Sequence, residues 1–240
     1  GADRIWNVNP DADTVTVSSA AGSVLAEIPV GDRPWSLARR PGTGQIWVSD
    51  KGSASLSVID GASLAVLRTV PLPRGSEPHG LVFDADGTHY FVVLEALAAL
   101  EKRRASDDAL IARLALSGRP RHASIVGDDS RLLVGNFITP PLPGESTLSV
   151  DVAAGGGEVF AIEPGPLTLV GTLRLPHDDR AQSESQGPGL PNYLGPPVVD
   201  FAGRYAYLPT KKDNVRAGPL RGLPGMSFES TVRANTSRIA

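Results

Sequence analysis

The feature that most constrains this chain is an internal repeat of just over forty residues. Ile5-Trp6-Asn7-Val8 returns 41 positions later as Ile46-Trp47-Val48-Ser49, and Thr14-Val15-Thr16-Val17 returns at the same spacing as Ser55-Leu56-Ser57-Val58. Val24-Leu25-Ala26-Glu27-Ile28-Pro29-Val30 answers to Val66-Leu67-Arg68-Thr69-Val70-Pro71-Leu72. A proline-bearing turn then closes each copy: Gly31-Asp32-Arg33-Pro34, Gly75-Ser76-Glu77-Pro78 and Ser117-Gly118-Arg119-Pro120. A degenerate copy begins at Gly195, where Asp200–Tyr207 echoes Phe83–Phe91. Each period holds four short stretches rich in Val, Ile, Leu and aromatics, separated by Gly, Asp, Pro or Ser, which is the pattern of an antiparallel meander. Four strands in roughly 40–45 residues make one blade of a β-propeller.

With the strands of a blade labelled a to d, the second blade reads as a at Trp35–Ala38, b at Ile46–Ser49, c at Ser55–Asp60 and d at Leu64–Val70. The chain opens at strand b near Ile5 and stops near strand c at Val232–Ile239, so an all-β fold with parts of five blades is expected across residues 1–240, as a single domain. A seven-bladed ring needs roughly 300 residues at this period. The chain is therefore expected to be incomplete, to close with about five blades, or to be completed by another chain, and unpaired strand edges would favour self-association. Two alternatives stay open. Leu94–Arg104 has strong helix propensity where the third blade needs strand c, and an open solenoid could replace a ring.

Composition narrows the chemistry. A net charge of −3 and scattered basic residues offer no field for nucleic acid. Absent cysteine removes disulfides, thiolate catalysis and covalent haem c attachment from this segment. No apolar run approaches a membrane span of roughly 20 residues. No Gly-x-Ser-x-Gly elbow, P-loop, His-Glu-x-x-His or paired dinucleotide glycines occur. Gly1-Ala2 does not look like a native start, so a removed signal peptide or a longer parent protein is expected.

Asn9-Pro10-Asp11-Ala12-Asp13-Thr14-Val15-Thr16-Val17 and Gly52-Ser53-Ala54-Ser55-Leu56-Ser57-Val58-Ile59-Asp60 resemble the YVTN-type propeller repeat, a Tyr/Trp-Val-x-Asn strand followed by Ser/Thr-Val-Ser-Val-Ile-Asp. Gly75-Ser76-Glu77-Pro78-His79-Gly80-Leu81-Val82-Phe83 resembles the Gly-x-x-Pro-x-Gly-Leu-Ala start of the next copy. Pro191-Asn192-Tyr193-Leu194-Gly195 and Lys211-Lys212-Asp213-Asn214 resemble a bacterial subgroup whose propeller adjoins a di-haem cytochrome c peroxidase-like domain. The resemblance implies an exported, usually seven-bladed protein, periplasmic or secreted. The chain departs from the pattern at Ser18-Ser19, in strand c of the third blade, and in carrying no cytochrome part.

Antiparallel order puts the b–c and d–a′ connections at one end of each sheet. The three long connections, 138–156, 176–194 and 210–227, are all of that kind, so a binding face is expected there. His79 and His122 follow the proline that opens strand a and are expected at that face, with Arg121 and Asn136 beside them. Imidazoles at a channel mouth could hold a metal, although each could equally bond a backbone carbonyl near a turn. His177, Asp178 and Asp179 form an oxygen-rich cluster with Arg180 and Glu184, suited to a divalent cation or to simple solvation. Lys211, Lys212, Asp213 and Asn214 are expected to pair with those carboxylates or to meet an anionic partner. Trp6 and Trp47 recur at repeat spacing as inter-blade packing.

Three functions are open, one of them a cell-surface structural repeat with no single concave site. The first is a non-enzymatic binding or docking module serving a protein partner or a further domain downstream, such as a cytochrome-type redox domain, with no cofactor of its own. The alternative is a propeller of the lactonase or metal-dependent hydrolase kind, with His79, His122, His177 and Asp178 as metal ligands.

Overall fold

The computed structural model of the chain describes residues 3–138, 156–180, 189–200, 202–213 and 232–240. These residues form five antiparallel sheets, of which the first four are consecutive meanders. The first holds β1 (Arg4–Asn9), β2 (Thr14–Ser19) and β3 (Val24–Pro29), corresponding to strands b, c and d. The second runs β4 (Pro34–Arg39), β5 (Gln45–Asp50), β6 (Ser55–Asp60) and β7 (Ala65–Pro71). The third runs β8 (Pro78–Phe83), β9 (His89–Leu94), β10 (Ala99–Arg104) and β11 (Leu110–Ala115). The fourth comprises β12 (Pro120–Ile125), β13 (Leu132–Asn136), β14 (Glu158–Glu163) and β15 (Thr168–Arg174). The fifth has β16 (Leu190–Asn192) and β17 (Val198–Val199) on one side of β18 (Ala206–Asp213), and β19 (Val232–Ile239) on the other. The chain divides into two compact units, Gly1–Leu116 with Gly127–Asp129 and Ser117–Val126 with Ser130–Ala240.

In the first unit the strands alternate between two buried layers. Val15, Val17 and Ile28 of the first sheet meet Ile46, Val48 and Ile59 of the second. The opposite face of the second sheet, Trp47, Leu56 and Val58, packs on Leu81, Phe83, Tyr90 and Val92 of the third. Trp47 is fully buried, edge-on to Phe83 at 5.4 Å and 5.0 Å from the Tyr90 ring, with the Arg68 guanidinium 4.9 Å above it. The repeated tryptophan is thus packing between sheets, as its spacing implied. In the second unit Leu133, Val159 and Leu175 pack against Leu194, Ala206 and Leu208.

The ambiguous stretch at Leu94–Arg104 resolves as sheet. Only Glu95–Leu97 makes a 3₁₀ turn, ended by Ala98 in a left-handed conformation, and Ala99–Arg104 pairs with β9 on one side and β11 on the other. Hydrogen bonds on both flanks and burial of Ala99, Leu100 and Glu101 outweigh local helix propensity. Glu101 stays buried because Arg103 and Arg113 both donate to it. Strand a of the fifth sheet begins earlier than the sequence echo at Gly195 suggested. It is split, with β16 opposite Lys211–Asp213 and β17 opposite Ala206–Tyr207, so the stretch 176–194 contains a strand and β18 runs on to Asp213.

The c–d turns share a left-handed residue before the outer strand: Gly22 (φ 86°), Leu64 (φ 61°), Asp108 (φ 61°) and Leu167 (φ 57°). Only the first is glycine, the residue that adopts this conformation without Cβ strain. No helix among the described residues is long and apolar enough to cross a membrane.

Trp47→Ala should cost about 3–5 kcal/mol, the range for emptying a buried aromatic site. Urea unfolding of the variant reads this directly; a loss under about 1 kcal/mol would mean the two sheets do not share this core.

Candidate functional site at the b–c and d–a′ ends

The opening proline of strand a faces the last residue of strand b in three sheets: Pro34 opposite Asp50, Pro78 opposite Leu94 and Pro120 opposite Asn136. Immediately after each proline the register shifts. The next residue on strand a is therefore bulged out of the ladder. Those residues are Trp35 and Arg121, and in the third sheet the shift takes in both His79 and Gly80. Beyond strand b, the amides of Lys51, Glu95 and Phe137 donate to the carbonyls of Arg33, Glu77 and Arg119 at 3.0, 3.1 and 2.9 Å. The same backbone bond thus fixes, in each sheet, a pair of side chains at one end.

In the second sheet the pair is Trp35 and Lys51, with the ammonium 5.5 Å from the indole centroid. In the fourth it is Arg121 and Phe137, with the guanidinium 3.5 Å from the ring centroid and the roles of cation and aromatic exchanged. In the third it is His79 and Glu95, both buried. Within the first unit these join: the His79 ring lies 5.2 Å from Trp35, and Lys51 reaches Glu95 at 2.7 Å and Glu77 at 3.3 Å. Trp35 remains 40% exposed, so the cluster presents an aromatic surface beside the exposed edge of Glu77.

Within the second unit the Arg121–Phe137 pair extends into a ladder. Tyr193 stands edge-on to Phe137 at 5.1 Å, and Lys211 lies 4.1 Å from the Tyr193 centroid. Next to it, Lys212 and Asp178 form a nearly buried ion pair at 2.8 Å, with Arg180 on the same carboxylate at 2.9 Å. Burial alone would raise the Asp178 carboxyl, but hydrogen bonds from Lys212, the Arg180 side chain and the Arg180 amide outweigh it and hold it well below the usual range. His177 Nδ1 sits 2.9 Å from Asp179, and its buried Nε2 has no hydrogen-bond partner among the described residues.

The expected residues therefore separate. His79 and Arg121 occupy equivalent positions, whereas His122 faces Gly135 one residue further along and is not the counterpart of His79. Asn136 is a buried strand-end residue that accepts the Arg119 amide at 2.7 Å and donates to Glu158 at 3.3 Å. Lys212 and Asp178 are brought together as the complementary charges implied, and Lys211 pairs with Asp213 at 3.1 Å. Asn214 lies outside the described residues, as do Glu184, Arg216 and most of 138–156 and 210–227. No three His, Asp or Glu side chains among the described residues converge as a metal-ligand set. Trp35, Lys51, Glu77, Glu95, Phe137 and Tyr193 were not singled out from sequence; their common signal is position relative to the opening proline and to the end of strand b.

A second polar feature sits under the same end. Asn9, closing β1, donates to Thr14 and Thr16 at 2.9 and 2.7 Å. Asp50 closes β5 at the equivalent place and reverses the polarity: Ser55 and Ser57 donate to its Oδ2 at 3.1 and 2.8 Å. The residue is fully buried, and its Oδ1 has no hydrogen-bond partner among the described residues. Burial pushes its pKa up to about 6, only partly offset by the bonds from Ser57, Ser55 and the Gly31 backbone, while the nearby Asp13 charge adds to the rise.

The comparisons with known proteins bear on the fold. No protein-family model matches the chain, and no curated protein sequence matches it. Among solved structures it is similar to Kuenenia stuttgartiensis hydrazine synthase, with a TM-score of 0.74 at 17% identity over 99% of this chain. The chain spans 59% of the length of that protein chain. At such identity the likeness speaks for architecture alone, and together with the sheets it makes the fold a β-propeller of antiparallel blades.

Asp50→Asn tests the buried carboxyl. Between pH near 4 and pH near 6 the unfolded chain releases this proton while the folded chain keeps it. The wild-type contribution to stability is therefore full below pH 4 and lost as pH rises through 6. The asparagine variant should match wild type near pH 4 and exceed it by on the order of 2 kcal/mol at pH 8. Chemical unfolding at the two pH values measures the difference; an equal offset at both would mean that Asp50 does not titrate with folding.

Proposed function

We propose that the chain is a binding module of the YVTN propeller type, exported, which docks a protein partner through the b–c and d–a′ ends of its blades. The observation that carries this reading is the pair of positions held by one repeated backbone bond. The scaffold is constant, while the side chains change from Trp35/Lys51 to His79/Glu95 to Arg121/Phe137. Fixed backbone with varied chemistry is how a rigid scaffold builds a recognition surface. Aromatic and arginine side chains are also the residues that dominate binding energy at interfaces. In the second unit the β13–β14, β15–β16 and β18–β19 connections start from these same ends of their own sheets. The partner best fitted to the sequence resemblance is a cytochrome-type redox domain.

The hydrolase reading takes His79, His122, His177 and Asp178 as metal ligands. Asp178 is already engaged by Lys212 and Arg180, so a metal would have to displace two cations. The likeness to a hydrazine synthase brings fold and no chemistry with it.

Calorimetric titration of the full chain with a purified bacterial di-haem c-type cytochrome domain tests the proposal. Binding is expected, weakened by at least about tenfold in Trp35→Ala or Arg121→Ala with the unfolding midpoint of each little changed. Thr43→Ala, in the a–b turn at the opposite end of the second sheet, should leave it intact. Absence of binding, or equal loss in Thr43→Ala, refutes docking by this end. Stoichiometric metal retained through dialysis together with lactone hydrolysis would favour the enzyme instead.

A further inference from the structure

The face of the second sheet that meets the first is apolar along Ile46, Val48 and Ile59 but polar at its end, where Asp50, Ser55 and Ser57 share one side. There the two sheets part to leave a cleft of about 990 Å³. Gly31, Ser55 and Ser57 form its floor, Val66 and Leu72 contribute apolar wall, and exposed Arg74 stands on the rim. Gly31 is packed so tightly on Asp50 that an added Cβ would lie 2.6 Å from the carboxylate's own Cβ. The carboxylate thus lies directly under the floor.

The two serines give their hydrogens to Asp50 Oδ2, so what they turn to the cleft is lone pairs. Both hold the Asp50 carboxylate, whose Oδ1 has no hydrogen-bond partner among the described residues and which lies near enough to Asp13 to feel its charge. The first sheet solves the same local problem with neutral Asn9, whose amide satisfies two threonines with no charge to desolvate. The acid in place of the amide is therefore unnecessary for the strand pairing. It is also unfavourable for folding, since a buried charge lacking a cation is among the most destabilising groups in a protein. Departures of this sort from local consistency concentrate at functional positions.

We infer that this cleft is a binding site for an organic ammonium group attached to an apolar body, with Ser55 and Ser57 accepting from the ammonium and Asp50 supplying the countercharge from beneath. The inference stands apart from the docking surface. It uses the cleft between the first and second sheets and none of Trp35, Lys51, His79 or Arg121. Val66 and Leu72 would take the apolar body, and Arg74 on the rim disfavours a second cation at the far end of the ligand.

The test is calorimetric titration of the full chain at pH 8 with n-butylammonium chloride, and in parallel with n-butanol and sodium butyrate. One butylammonium is expected to bind per chain, with butanol and butyrate at least about tenfold weaker, which is some 1.4 kcal/mol. Asp50→Asn, expected to fold at least as stably as wild type, should lose at least tenfold in butylammonium affinity. Ser57→Ala should lose part of it. Equal affinity for butylammonium in wild type and Asp50→Asn would mean that solvent meets the partnerless oxygen and the cleft is a packing gap. No binding, or butyrate binding as tightly as butylammonium, overturns the inference as well.

Discussion

The hydrogen bond from the residue after strand b to the carbonyl that precedes the opening proline organises much of what is distinctive here. Lys51, Glu95 and Phe137 each make it. It continues the register of the proline pair by one residue, and proline fits the neighbouring position because no amide is asked of it there. The register then slips by the bulge, and one side chain per sheet is released from the pleat toward the sheet end. Backbone satisfaction and the display of Trp35, His79 and Arg121 are thus a single event. A proline placed for a turn thereby helps decide which side chain stands at the sheet end.

Much of the architecture was legible because it depends on quantities a sequence states directly. Period, alternation and turn residues placed β4 to β7 within a residue or two, and they identified the partial first and fifth sheets. Leu94–Arg104 was open because helix propensity is local, whereas the hydrogen bonds that make it a strand come from β9 and β11. The split of strand a into β16 and β17 was hidden for a different reason. Neither piece is long enough to show a period, and their only common feature is the strand they both pair with.

The site divided along similar lines. Opposite charges in two insertions suggested an ion pair, and Lys212 with Asp178 supplies it, because Coulomb attraction needs no exact register. His79 and His122 stand one and two residues after their opening prolines, so Arg121 and not His122 takes the place of His79 in the fourth sheet. The Trp35–Lys51 and Arg121–Phe137 pairs carry no spacing motif; exchanging cation and aromatic between two strands preserves the contact while erasing the pattern. Asp50 looked like any strand-end acid. Only comparison with Asn9 in the folded repeat shows that a neutral group would have served the backbone equally well.

The left-handed residues before the outer strands have a consequence for how such a protein can change. Leu64, Asp108 and Leu167 occupy a conformation that disfavours any side chain, while Gly22 occupies the corresponding turn without that penalty. Leu64 and Leu167 each store about 1 kcal/mol there, whereas Asp108 is of a type that tolerates the conformation better. These turns are at the opposite end of their sheets from the paired side chains and from the Asp50 cleft. Glycine cannot simply be copied into the later turns, however, because Leu167 is buried, Leu64 packs against the core shared by the first two sheets, and the Asp108 carboxylate holds Arg68. A relaxed backbone there would be exchanged for lost packing or a lost ion pair, so the strain persists as the cost of side chains that the fold uses.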